Sequence, residues 1–143
     1  MPQVIKFKAY RKPVTQVLMG HTVAKVRIYN PHDTSKSMEL ELLVDTGSTY
    51  TWIKRSKLKK LSIKPTTKWK LKTIESKIIE REIGEAAIEC LGEKATTITV
   101  FAEEKDTEVL GTYTLEGLRL EIDPTTRQLR KIETLLALNT YST

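Results

Sequence analysis

The chain has 143 residues, with 24 Lys and Arg against 18 Asp and Glu, a net charge of +6, one cysteine and two histidines. That length allows a single domain with its own apolar core; the lone Cys90 excludes an internal disulfide, and with His21 and His32 in turn-like settings it makes neither a metal site nor a Cys-His dyad. No run of about 18 apolar residues is present to span a membrane as a helix, and Met1–Lys6 has no apolar core of a secretory signal, so a cytoplasmic protein is expected.

Alternation governs the elements in chain order. Val23–Tyr29 and Met38–Leu42 predict the two strands of a hairpin across a polar loop, Asn30–Ser37. Tyr50–Ile53, aromatic and β-branched, predicts a strand, and Ser56–Leu61 a short helix with Leu58 and Leu61 on one face. Lys68–Lys72 and Ile78–Ile83 predict two strands joined by a tight turn at Ile74-Glu75-Ser76-Lys77. Ala86–Leu91 and Ala95–Phe101 predict a further hairpin across Gly92-Glu93-Lys94. After the charged loop Glu103–Asp106 come Val109-Leu110-Gly111, a short helix from Thr112 to Gly117, and a last hairpin of Leu118–Ile122 and Gln128–Ile132 around Asp123-Pro124-Thr125-Thr126. Many short strands with turn signals at intervals of about eight to twelve residues predict an all-β barrel or sandwich with two small helices. No repeat or linker divides the chain, so residues 1–143 are expected to form one domain.

The most telling stretch is Leu42-Leu43-Val44-Asp45-Thr46-Gly47-Ser48, an apolar strand that ends in a carboxylate, a hydroxyl, a glycine and a second hydroxyl. It occurs once. Asp33, Asp106 and Asp123 lack the following Thr/Ser-Gly, so a carboxylate that works in a pair needs a second copy of the chain.

This pattern resembles the single-lobe, retroviral-like aspartic proteases, the retropepsins. Four segments carry the resemblance in family order: Leu43–Ser48; Trp69–Glu82, where the family has its flap; Ile88–Ala95, similar to the hairpin after the flap; and Val109-Leu110-Gly111, similar to the two apolar residues and glycine that pass behind the active-site loop. Coverage runs from about residue 20 to residue 133. The resemblance implies a closed β-barrel acid-protease fold acting as a homodimer, no cofactor and no metal, and a peptide or unfolded protein as substrate.

In that family two carboxylates held close together cannot both ionise, and they share one proton. The resemblance therefore makes Asp45 catalytic. Thr46 would bond across the two-fold axis, Gly47 would bring backbone N–H groups to the carboxylate, and Ser48 would hydrogen-bond the outer oxygen of Asp45. Val109, Leu110 and Gly111 form the motif behind the loop, and Ile74, Glu75, Ser76 and Lys77 the flap tip that covers substrate. The chain departs from the family pattern where Thr49 stands for an acidic residue and Thr112 for an arginine, and its flap tip has no glycine. The dimer is then expected to be held by other contacts, the terminal strands among them; residues 1–19 and 134–143 match no family role.

Two further readings follow from these departures and from charge. One is a retropepsin-like dimer with weak or absent proteolysis that serves as a binding or regulatory module. The other is a basic nucleic-acid-binding β-barrel, since Lys54–Lys72 holds nine basic residues and no acidic one. A solvated surface partly balanced by Glu75, Glu80, Glu82 and Glu85 is the plainer reading of that stretch, and nucleic acid is not the expected partner.

Overall fold

The computed structural model describes residues 3–4 and 21–133. Ten strands and two short helices follow one another: β1 (Gln3–Val4), β2 (Thr22–Asn30), β3 (Asp33–Val44), β4 (Thr51–Lys54), α1 (Arg55–Lys60), β5 (Thr67–Lys72), β6 (Ile78–Cys90), β7 (Glu93–Ala102), β8 (Val109–Leu110), α2 (Thr112–Leu118), β9 (Leu120–Ile122) and β10 (Leu129–Lys131). The fold is mostly β, as the alternation predicts. The expected role of the terminal segments in holding a dimer falls, apart from Gln3–Val4, outside the described residues.

Eight strands form one sheet in the order β1-β5-β6-β2-β3-β8-β4-β7, and β7 pairs back onto β6, so that the pairings from β6 through β2, β3, β8 and β4 to β7 form a ring. β9 and β10 make a separate two-stranded ribbon. Alternate residues of β2 (Ala24, Val26 and Ile28) meet Leu42 and Val44 of β3, Ile88 of β6 and Leu115 and Leu118 of α2 in one buried cluster. A second cluster, Leu43, Tyr50, Trp52, Leu71, Ile83, Val100, Ala102 and Val109, lies beside it. Adjacent residues Leu43 and Val44 thus serve different clusters, because successive side chains of a strand point to opposite faces.

Three expectations give way to the structure. The loop Asn30–Ser37 is shorter than its composition suggests. The Asn30 amide donates to the carbonyls of Leu61 (2.9 Å) and Ser62 (3.1 Å), its Oδ1 accepts the His32 N–H, and β3 begins at Asp33. The polar residues 34–36 are taken up as an irregularity, since Tyr29 pairs with Ser37 and Asn30 with Asp33. Secondly, Ile78–Ile83 and all of Ala86–Leu91 but its last residue are parts of a single strand, β6. Gly84 does not end it. That position is glycine because an added Cβ would stand 2.8 Å from the Phe101 ring. Thirdly, the next turn is Leu91-Gly92, both with positive φ (53° and 82°), and Glu93 and Lys94 already belong to β7.

Candidate active site

Asp45 is the first residue beyond β3. Its position is fixed from below by β8, which lies between β3 and β4: Leu43 and Val44 pair in parallel with Val109 and Leu110, and Trp52 pairs antiparallel with Val109. The Asp45 N–H continues this ladder by donating to the Leu110 carbonyl at 3.0 Å. The chain then turns back on itself. Ser48 N–H donates to the Asp45 carbonyl at 3.0 Å, and Gly47 N–H donates to Asp45 Oδ1 at 2.8 Å, the side-chain-closed turn that aspartate favours.

From there the loop leans on α2. The first N–H groups of a helix have no partner within it. Those of Thr112 and Tyr113 donate to the carbonyls of Ser48 (2.9 Å) and Thr49 (2.8 Å). The Thr112 hydroxyl reaches the Ser48 carbonyl as well, at 3.4 Å. Gly111 is required here: a Cβ would lie 2.4 Å from the Tyr50 carbonyl oxygen and 2.8 Å from that of Thr49. Its N–H donates to the Thr51 hydroxyl (3.0 Å), which is bonded to Thr114 (2.6 Å), itself bonded to Thr97 (2.8 Å). A chain of buried hydroxyls thus ties the loop, α2 and β7 together.

Asp45 is only 4% exposed, and its buried Oδ2 has no hydrogen-bond partner among the described residues. One oxygen is held and the other is left bare. Leaving a buried polar group unmet costs about 1–3 kcal/mol, more if it is charged. Thr46, next in the chain, is exposed. Ser48 does not do what the resemblance implies: its hydroxyl donates to the Tyr50 carbonyl at 2.8 Å, bracing the loop rather than touching the carboxylate. The four concavities lined by other parts of the surface do not include Asp45. Among the described residues no group of three or more His, Cys, Asp or Glu could hold a metal ion. Cys90 is buried, which pushes its thiol up from the ordinary value.

The structure brings Asp45, Gly47, Ser48, Leu110 and Gly111 together. Ile74, Glu75, Ser76 and Lys77 form the turn of the β5–β6 hairpin, where Thr73 N–H donates to the Lys77 carbonyl (2.8 Å) and Ser76, at φ 66°, donates its N–H to Thr73 (2.9 Å).

Sequence reasoning missed Arg81, Asp106, Tyr50 and Tyr113. Both Asp106 oxygens accept from the Arg81 guanidinium, at 2.7 and 2.9 Å, and Asp106 Oδ2 also accepts the Glu103 N–H at 2.8 Å. These bonds raise the Arg81 guanidinium above its ordinary range. A signal was present, for Arg81 occupies an inward position of the alternation Ile79-x-Arg81-x-Ile83, where a charge requires a partner.

The basic stretch is broken up by acids from elsewhere in the chain. Lys57 Nζ meets Glu108 at 2.7 Å, and Arg55 pairs with Glu82 and Glu103 while lying over the Phe101 ring. Lys68 and Lys70 stand opposite Glu82 and Glu80 in the register. No helix among the described residues is long and apolar enough to cross a membrane. Neither a protein-family model nor a curated protein matches this chain.

Proposed function

We propose that this chain is a retropepsin-like aspartic endopeptidase, a closed β-barrel that works as a homodimer with one Asp45 from each subunit. The observation that carries the reading is the half-satisfied carboxylate: Asp45 Oδ1 is fixed by Gly47, while buried Oδ2 has no partner among the described residues. A second carboxylate sharing one proton with it supplies that partner. An isologous dimer brings the same loop to both sides of a two-fold axis, and the exposure of Thr46 supports a bond across it.

The ionised Asp45 takes a proton from a water held between the carboxylates. The partner subunit's Asp45 donates its proton to the carbonyl oxygen of the peptide bond. Water adds and a gem-diol forms; Asp45 passes the proton it took from water to the amide nitrogen, the C–N bond breaks, and a gem-diol hydroxyl returns a proton to the partner subunit's Asp45 as acid and amine separate. Water is the nucleophile, so no acyl-enzyme forms. The substrate is an extended peptide or unfolded protein that pairs strand-wise beneath the β5–β6 hairpin. No cofactor, membrane or nucleic acid belongs to this reading; the pairing of Arg55 and Lys57 with acids supports leaving nucleic acid out.

The alternative, a weakly catalytic or inactive retropepsin-like dimer that binds extended chains as a regulatory module, draws on the glycine-free hairpin turn. One experiment separates the two. Unfolded casein is incubated with the chain between about pH 3 and 7, with and without a pepstatin-type inhibitor. The protease reading expects inhibitor-sensitive cleavage that vanishes in Asp45→Asn. Cleavage that survives this substitution defeats the assignment of Asp45, and a dimer that cleaves nothing leaves the binding module.

A further inference from the structure

β5 stands outside the ring of strands. Its partner in the hairpin, β6, goes on to pair with β2 and β7, whereas β5 has β6 on one side and β1 on the other. An open strand edge carries a row of backbone donors and acceptors, which an extended chain can join. Here Gln3 pairs with Leu71 and Val4 with Lys72, in parallel. These two rungs lie at the end of β5 that leads into the hairpin turn. Along Thr67–Lys70 no strand pairs on that edge among the described residues.

β5 also adjoins the residues that flank Asp45. Leu71 shares a buried cluster with Leu43, two residues before Asp45, and with Val109 of β8. The Trp69 ring meets that of Tyr50, in the stretch leaving Asp45, at 5.3 Å between centroids, and Tyr50 meets Tyr113 of α2 at 5.8 Å. On the other face Lys68, Lys70 and Lys72 are exposed. One face of β5 is therefore packed on the flank of the site, and its backbone edge is the part that another chain can join.

We infer that β1 is a self-occupying strand: the N-terminal segment holds the edge of β5 along which an extended peptide pairs, and it has to leave before that peptide is seated. The competition rests on the protease reading; the hold of β1 on β5 does not. Two rungs make a weak latch, since a short isolated pairing is marginal in water. Residues 5–20 separate the strand from His21. At about 3.3 Å per residue that length lets β1 come away while β2 stays in place. A site that is free only part of the time binds with its affinity reduced by that fraction, so the strand raises the apparent KM and leaves the chemical step alone.

The test is the double substitution Gln3→Pro/Val4→Pro in the full chain. Proline has no N–H to give to a ladder, and both positions lie outside the residues that build the ring. By hydrogen exchange, the peptide covering 67–72 should exchange several-fold faster in the variant, with β2, β3 and residues 83–90 unchanged. No change at 67–72 overturns the inference. Protection of 67–72 that fades when the unaltered chain is diluted marks a strand lent by a second copy, and overturns it as well. On a cleavable peptide, KM should fall several-fold in the variant with kcat unchanged, and a synthetic peptide of residues 1–6 should inhibit the variant competitively. An unchanged KM beside faster exchange overturns the competition, because the strand then sits outside the path of the substrate. If neither protein cuts any peptide, the protease reading falls and the competition with it, while the exchange comparison still decides whether β1 holds β5.

Discussion

Asp45 and Asp106 are both buried carboxylates in loops that border β8, yet they are solved in opposite ways. Asp106 is complete within the chain: Arg81 donates to both of its oxygens and Glu103 N–H adds a third bond. Asp45 has one oxygen on Gly47 N–H and the other without a partner among the described residues. A buried acid that only holds a fold is surrounded by donors, because an unmet charge is expensive. One that is left half-met among the described residues, on a braced loop, is what the proposed pairing of two Asp45 carboxylates would complete.

Substituting the two acids should give opposite signatures. Asp45→Asn is expected to lower peptide hydrolysis by about 10²–10⁴-fold, the scale of a lost general acid–base group, without lowering the melting temperature. A melting point that drops sharply would make Asp45 a structural acid like Asp106. Asp106→Asn leaves the Arg81 guanidinium buried without its counter-charge, and removing one partner of a buried pair costs about 3–5 kcal/mol; denaturant unfolding measures it, and a loss below about 1 kcal/mol, the scale of a surface pair, would erase the contrast.

Gly111→Ala attacks the bracing alone. Its Cβ would press on the Tyr50 carbonyl at 2.4 Å, and the forced shift should cost about 1–3 kcal/mol and reduce activity beyond the loss of folded protein. Full activity in this variant would show that the loop's position does not matter.

The smallest effect belongs to Asp123, whose carboxyl is held below the ordinary 3.8 chiefly by the N–H groups of Thr125 and Thr126. A depressed value in the fold means stability that is present above the unfolded value and lost as pH falls through the folded one. Acid titration of unfolding should therefore lose a little of its slope below about pH 4 in Asp123→Asn; an unchanged slope would show that this turn adds nothing.

The strands around Asp45 were legible because alternation there is unbroken. Met38–Leu42 sets one face toward the core, and the apolar run ending at Val44 announces a strand buried on both sides, as insertion of β8 beside β3 requires. Gly111 was legible as a motif, but its reason, the Tyr50 carbonyl against it, is a contact between distant segments that no local pattern encodes. The loop between β2 and β3 was read too long because Asp33–Ser37 is rich in turn formers; Asp33 and Ser37 pair with β2, and only 34–36 are left as an irregularity. Ser48 was placed on the carboxylate by resemblance; in this chain the Tyr50 carbonyl is its acceptor instead. The Arg81–Asp106 pair joins residues 25 positions apart, so the inward charge was visible and its partner was not.

The central claim is that one working site takes an Asp45 from each of two chains, and mixing tests it most directly. Unaltered and Asp45→Asn chains are combined in equal amounts under conditions that let subunits exchange, and hydrolysis is compared with the unaltered protein at the same total concentration. If both carboxylates are needed, only dimers of two unaltered chains are active, and the rate falls to about one quarter. A rate of one half would mean that each chain works alone, and would contradict the account.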